Sequence, residues 1–368
     1  MITPLQSYQN DLNSGLVRPD DAQSVAIAAL QSLYDALLES ERVSSSVGGW
    51  LKGRFGLAKT KPIKGLYIYG GVGRGKTYLM DTFFECLPFE RKLRTHFHRF
   101  MQHVHSELAR LKQQKNPLET VADSIAAKAR VLCFDEFFVS DIGDAMILGG
   151  LLEHLMSRGV VLVATSNIHP DGLYANGLQR DRFMPAIRLL HENCQILELD
   201  SGIDYRLRAL KQARLYFSPL GEGAGLALAG LFERLASGHA QRRQDVAVEI
   251  LGRPIPARLV SDGVGWFEFR HLCGGARSAF DYIELAREYH TVILSDVPAM
   301  DSSHDDLARR FVSLVDELYD RHVKLIISAA VPLPELYSGH GLAFVFERTL
   351  SRLLEMQSEQ YLGLEHRP

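Results

Sequence analysis

GLYIYGGVGRGKT, residues Gly65 to Thr77, is the stretch on which the fold turns. Gly65 to Tyr69 is a short apolar run of strand character, and Lys76 to Leu87 reads as a helix. The residues between them, Gly70, Gly71, Val72, Gly73, Arg74 and Gly75, complete a GxxxxGK[ST] pattern with Lys76 and Thr77. Glycines let such a loop curl until its backbone N–H groups point inward at phosphate oxygens, and the positive end of the following helix adds to them. Lys76 then reaches the β- and γ-phosphates, and the Thr77 hydroxyl suits Mg2+. A glycine-rich turn can match this pattern by chance, but the strand before it and the helix after it are the context the chemistry needs.

Further along, Val131-Leu132-Cys133-Phe134-Asp135-Glu136 is an apolar strand ending in two acids. Open α/β sheets bind ligands at the carboxyl ends of their strands, which places Asp135 beside the loop as the second Mg2+ ligand. Glu136 is expected to orient and polarise an attacking water, a role that favours a hydrolase over a kinase. The next apolar strand ends Ala164-Thr165-Ser166-Asn167, offering Asn167 to the γ-phosphate at the same edge. Before the fifth strand, Gln179-Arg180-Asp181-Arg182 brings two arginines. They either pair with Asp181 on the surface or project toward a neighbour's nucleotide, where a guanidinium stabilises transition-state charge and the protein must oligomerise.

Reading outward, the alternation is regular. Arg94 to His98 is expected as the second strand, Met101 to Gln113 as a helix, Val131 to Asp135 as the third strand and Asp144 to Ser157 as a helix. Val160 to Thr165 and Gln195 to Leu199 complete a parallel sheet covered on both faces. His96, His98, His103 and His105 cluster across a strand end and a helix start, without an acid or cysteine at metal-site spacing, which favours packing or partner contact. Phe100-Met101 stands where a pore loop would sit in a polypeptide-threading ring, but lacks a following glycine, so core packing is the simpler reading.

Around this unit, residues 1–64 read as a helical segment (Ile27, Leu30, Leu33, Leu37 and Leu38 at helical spacing after Asp20 and Asp21) and a basic linker. Lys52, Arg54, Lys59, Lys61 and Lys64 follow one another without an intervening acid, with Trp50, Leu51, Phe55 and Leu57 among them. That stretch is a solvated linker or a contact for an acidic partner or a membrane surface. Residues 65–205 form the phosphate-loop domain and 206–368 a smaller α/β domain. In the latter, VKLIISAAVPLPELY (323–337) echoes VVLVATSNIHPDGLY (160–174), and Asp296 echoes Asp135 at a strand end. Either the C-terminal part is a worn second copy of the first unit, or strand-helix-strand crossovers simply look alike.

With 368 residues, 46% apolar and 23% charged, the composition is that of a folded globular protein. Forty-one basic against 44 acidic residues leave a net charge of -3, so no global field holds nucleic acid. Cys86, Cys133, Cys194 and Cys273 lie far apart without a CxxC pair, the pattern of reduced thiols. The N-terminus has neither signal-peptide nor transit-peptide character, and no run approaches the roughly 18 apolar residues of a membrane span, so a cytoplasmic location is expected.

GLYIYGGVGRGKTYLMD, HFHRFM, VLCFDEFFVSDIGDAM, LVATSNIHPDGLYANGLQRDRFMPAI, DYRLR, ARSAFDYIEL, HVKLIIS and SRLLEMQSEQYL together resemble the ZapE family of bacterial cell-division ATPases, an AAA+-type group that also has mitochondrial members. The resemblance spans nearly the whole chain, and the missing presequence favours the bacterial branch. It implies an ATP- and Mg2+-using enzyme at the division ring that binds FtsZ and destabilises its polymers. It also nominates Arg277 and Arg348 as second-sensor or inter-subunit residues. The expectation is therefore an AAA+-like P-loop ATPase, at least transiently oligomeric, acting on FtsZ. The alternatives are a quality-control ATPase handing membrane-protein subunits to proteases or assembly factors, a nucleic-acid-associated ATPase, and a slow nucleotide-gated scaffold.

Overall fold

The computed structural model describes all residues except 1, 18, 46–61, 72, 113, 140, 201–206, 208–209, 212, 237–241, 262 and 368. Most of the basic linker, Val72 of the phosphate loop and all of the DYRLR stretch except Leu207 therefore lie outside the described residues. The chain divides into two compact units, Met1–Ile203 and Asp204–Pro368. No helix among the described residues is long and apolar enough to cross a membrane.

In the first unit, α1 (Pro4–Ser14) and α2 (Asp21–Ser45) precede β1 (Gly65–Tyr69) and α3 (Lys76–Cys86). Then come β2 (Lys92–His96), α4 (Phe97–Arg110), α5 (Pro117–Lys128), β3 (Val131–Asp135), α6 (Ile142–Ser157), β4 (Val161–Ser166), α7 (Met184–Asn193) and β5 (Cys194–Glu198). The five strands run in the order β2-β3-β4-β1-β5, and every pairing is parallel. One face packs Phe97, Phe100, Phe134 and Phe137 against α4 to α6, and the other packs Leu66, Ile68, Leu79 and Phe83 against α1 to α3. Such two-sided burial explains why these strands carry no polar alternation. Phe100 and Met101 are 4% and 1% exposed, so they belong to the core and not to a pore.

β2 begins and ends two residues earlier than expected. Phe97 and His98 already turn into α4, which puts the Phe97 ring edge-on to Phe134 at 5.6 Å.

The second unit holds β6 (Tyr216–Phe217), α8 (Glu222–Leu235), β7 (Arg243–Ile250), β8 (Arg253–Ser261), β9 (Val264–Glu268) and α9 (Phe269–Leu272). It continues with α10 (Ala279–Glu288), β10 (Thr291–Val297), α11 (Asp305–Asp320), β11 (Lys324–Ala329), α12 (Ala343–Glu355) and α13 (Glu359–Leu362). The six-stranded sheet has the order β6-β11-β10-β9-β8-β7, parallel from β6 to β9 and closed by an antiparallel hairpin.

Three of these strands, β6, β11 and β10, reproduce the register of β1, β4 and β3. Tyr67 faces Ala164 and Phe134 faces Ala164; Tyr216 faces Ile327 and Leu294 faces Ile327. The Tyr67 hydroxyl donates to the Ile168 carbonyl at 2.9 Å, and the Tyr216 hydroxyl to the Val331 carbonyl at 2.7 Å, each four residues past the facing position. The register corrects one expected equivalence. Asp296 corresponds to Glu136, not to Asp135: both have positive φ (63° and 51°), and their N–H groups donate to Ser328 Oγ and Thr165 Oγ1. The second unit lacks the phosphate loop. Only Ser218-Pro219-Leu220-Gly221 joins β6 to α8, and Glu222 stands where a helix would meet phosphate.

Candidate nucleotide site

The phosphate loop leaves β1 through Gly70, whose φ is 156° and where a Cβ would lie 2.2 Å from the Leu199 carbonyl oxygen at the end of β5. Gly75, with φ 89°, is the N-cap of α3 and is left-handed, so a side chain there is strained whatever the space. These glycines let the loop fold tightly over the start of α3. Lys76 turns back into it: Nζ donates to the Gly70 carbonyl at 2.6 Å, the Gly71 carbonyl at 2.7 Å and Asn167 Oδ1 at 2.8 Å. Thr77 is half-buried in the first turn.

Asn167 follows β4 directly, and β4 lies between β1 and β3. That strand order brings Lys76 and Asn167 together, with the end of β3 on the next strand. Asp135, 3% exposed, is the last residue of β3. Glu136 turns left-handed just beyond it, and its N–H donates to Thr165 Oγ1 at 3.4 Å while Phe137 N–H donates to the Thr165 carbonyl at 2.7 Å. A non-glycine residue at positive φ costs of order 1 kcal/mol or more, and such strain clusters at functional edges. Lys76, Thr77, Asp135, Glu136 and Asn167 thus all stand at the carboxyl ends of β1, β3 and β4 or in the segments that follow them. Thr77 and Asp135 offer the hydroxyl and carboxylate oxygens that Mg2+ prefers.

Arg180 and Arg182 occupy a 3-10 turn before α7. Arg180 Nη2 donates to the Asp171 carbonyl at 2.6 Å, Arg182 is exposed, and neither pairs with Asp181. His191 Nε2 lies 2.8 Å from Asp171 Oδ1 and, as the main cause, holds that carboxyl below its ordinary range. The His169 ring meets Tyr69 edge-on at 4.9 Å, so the arginine turn is knitted to the end of β1 through this polar cluster. In the second unit Arg277 donates to the Pro254 carbonyl and Arg348 to Asp316 Oδ2 at 2.6 Å. His105 lies 2.7 Å from Asp144 Oδ1 on α6, and His103 is exposed, so these two members of the histidine cluster serve helix packing and the surface.

Two residues at the site were missed in the sequence. Arg94, in β2, places Nε 2.6 Å from Asp135 Oδ2 and Nη1 against Asp81 Oδ1 of α3. The three side chains are 4%, 5% and 5% exposed. Arg94 therefore ties the acid at the end of β3 to the helix that carries the loop. The signal was present in Asp81, which interrupts the buried face Tyr78-Leu79-Met80 of α3, and in Arg94, a charge inside a strand. A buried aspartate requires a cation, and the strand next to β3 supplies one.

A family model described as AFG1-like ATPase matches residues 2–365. Cell division protein ZapE of Escherichia coli K12 is 50% identical, covering 99% of this chain and 98% of its own length. Lactation elevated protein 1 homolog B of Danio rerio is 38% identical, covering 83% of this chain and 69% of its own. The crystal structure of DnaI covers 51% of this chain and 89% of its own at 19% identity, with a TM-score of 0.35, too distant to carry an argument.

Proposed function

The chain belongs to the AFG1-like ATPase family and is an ATPase, and from that premise we propose that it hydrolyses Mg2+-bound ATP at the β1-β4-β3 edge to destabilise FtsZ polymers at the division ring. The observation that carries the chemistry is the meeting of Lys76 with Asn167 at 2.8 Å beside the strand that ends in Asp135 and Glu136. The partner rests on the near full-length similarity to a cell division protein.

In this reading the loop N–H groups and the start of α3 bind the phosphates. Lys76 gives up its contacts with the Gly70 and Gly71 carbonyls for the β- and γ-phosphate oxygens. Asn167 binds the γ-phosphate, and the Glu136 carboxylate aligns a water with the phosphorus and accepts its proton as the P–O bond breaks. Thr77 and Asp135 would hold Mg2+, which would supply positive charge against the triphosphate. In-line displacement asks mainly for positioning and charge neutralisation, which this set of residues can supply. Arg180 or Arg182 acts on the nucleotide of a neighbouring subunit, so turnover rises as the protein oligomerises. Residues 206–368 couple nucleotide state to the partner, and the protein works in the cytoplasm at the division site.

Sedimentation of FtsZ polymers with this protein tests the reading. ATP is expected to reduce pelleted FtsZ, whereas ADP, or ATP with Lys76→Ala, leaves it unchanged. Equal pelleting under all conditions, with ATPase activity intact, would remove FtsZ as the partner and turn attention to unfolding of tagged membrane-protein subunits or stimulation by single-stranded DNA.

A further inference from the structure

The first turn of α2 contains a buried amide that the phosphate chemistry does not use. Gln23 is 3% exposed. Its backbone N–H donates to Asp20 Oδ1 at 3.0 Å, and its side-chain Nε2 donates to the Arg74 carbonyl of the phosphate loop at 3.0 Å. The fit is close, since a Cβ on Gly75 would fall 2.6 Å from Nε2. A carbonyl can only accept, so the Arg74 contact fixes the amide with NH2 toward the loop and Oε1 away from it. That Oε1 is buried and has no hydrogen-bond partner. A stranded acceptor is destabilising, so this atom is suited to a donor that arrives with a ligand.

We propose that Gln23 reads the base of the nucleotide, its Oε1 accepting from the 6-amino group of adenine, and so determines specificity for adenine over guanine. The inference rests on the reading of the phosphate loop as an ATP site. Phosphates carry no donors at neutral pH, so within a nucleotide Oε1 can be satisfied by a ribose hydroxyl, a base amino group or the ring N1–H of guanine and hypoxanthine, which lies beside position 6 and meets Oε1 only if the base shifts. The strand order selects between the two ends of the ligand. Lys76 and Asn167 mark the γ-phosphate on the β4 side of β1, whereas Arg74 pairs with Asp200, just past β5, on the opposite side. The nucleoside therefore leaves the loop toward β5, where Gln23 meets Arg74. Guanine and hypoxanthine present an oxygen at position 6, and two acceptors facing each other repel. A buried amide that is satisfied only by the amino form rejects its analogues far more strongly than an apolar pocket does.

The test is equilibrium binding of the full chain to ATP, 2′-deoxy-ATP, GTP, purine riboside triphosphate, which has no group at position 6, and tripolyphosphate, for the wild type and Gln23→Met. The wild type is expected to bind ATP and 2′-deoxy-ATP about tenfold or more tightly than GTP or the purine analogue. In Gln23→Met the four nucleotides should converge to within about threefold, with ATP weakened more than tripolyphosphate, whose smaller loss reports the missing bond to the Arg74 carbonyl. An unchanged ATP-to-purine ratio in the variant overturns the proposal. A parallel loss of ATP and tripolyphosphate also overturns it, because Gln23 would then only brace the loop. A selective loss of 2′-deoxy-ATP in the wild type assigns Oε1 to the ribose and overturns it as well. If the wild type binds no triphosphate at all, the ATP site itself is wrong and this inference falls with it.

Discussion

Replacing Arg94 by methionine takes the guanidinium from two buried acids at once. Asp81 and Asp135 are both 5% exposed on their side chains, and Arg94 Nε sits 2.6 Å from Asp135 while Nη1 meets Asp81. Methionine fills the space of the guanidinium stem but offers no donor. Breaking a buried pair by removing one partner costs about 3–5 kcal/mol, because the remaining charge is left uncompensated. For a unit the size of Met1–Ile203, each kcal/mol moves the midpoint by about 2–4 °C. The first unit should thus melt about 6–20 °C lower in differential scanning calorimetry. Asp81→Asn in the same chain removes one stranded charge, so the double variant should recover part of the loss. Asp81→Asn alone is expected to destabilise, and the three values should be strongly non-additive. An Arg94→Met midpoint within about 2 °C of wild type, or additive effects, would refute the argument that this cation neutralises both acids.

Other outcomes follow from the second unit and the thiols. Burial pushes the Asp281 carboxyl up, but the Ser278 backbone and hydroxyl donors and Arg253 outweigh it and hold the group below its ordinary value. Because the folded value lies below the unfolded value of about 3.9, its contribution is complete above that pH and is lost as pH falls through the folded value. Denaturant titrations should show Asp281→Asn less stable by about 1 kcal/mol at pH 7 and flatter than wild type below pH 4; parallel curves would contradict this. Burial pushes the Cys194 and Cys273 thiols up to about 12 and raises Cys133 further. A colourimetric thiol reagent at pH 8 should react with no more than the half-buried Cys86 in the native protein, and rapid labelling of a second thiol would count against this packing. Tyr67→Phe and Tyr216→Phe each remove one hydroxyl-to-carbonyl bond and should each cost about 1 kcal/mol, with neither variant unfolding.

The elements that sequence reading recovered are those whose pattern is local. The apolar strands Gly65–Tyr69 and Val131–Asp135 are buried on both faces, and their identity as parallel core strands follows from composition alone. β8 carries no strand signal in the sequence, because Pro254 and Pro256 argue against one. In the sheet both prolines face β7 only, since β9 pairs no further than Leu259–Ser261, so their missing N–H groups cost no ladder bond there. The site shows the same division. Lys76, Thr77, Asp135, Glu136 and Asn167 could be named from motifs adjoining strand ends. Arg94 and Gln23 could not, because each acts on a residue far away in sequence, Arg94 on Asp81 and Asp135 and Gln23 on Arg74. The likeness between the two units lay between these cases: the echo of 160–174 in 323–337 is visible in the sequence, but only strand register aligns Asp296 with Glu136.

Glu136 is the residue proposed to turn a bound nucleotide into a hydrolysed one. Steady-state turnover and equilibrium ATP binding, measured side by side for wild type and Glu136→Gln, test this. Turnover is expected to fall by about 100-fold or more, with ATP affinity within about threefold of wild type. Turnover within tenfold of wild type, or loss of ATP binding, would contradict it.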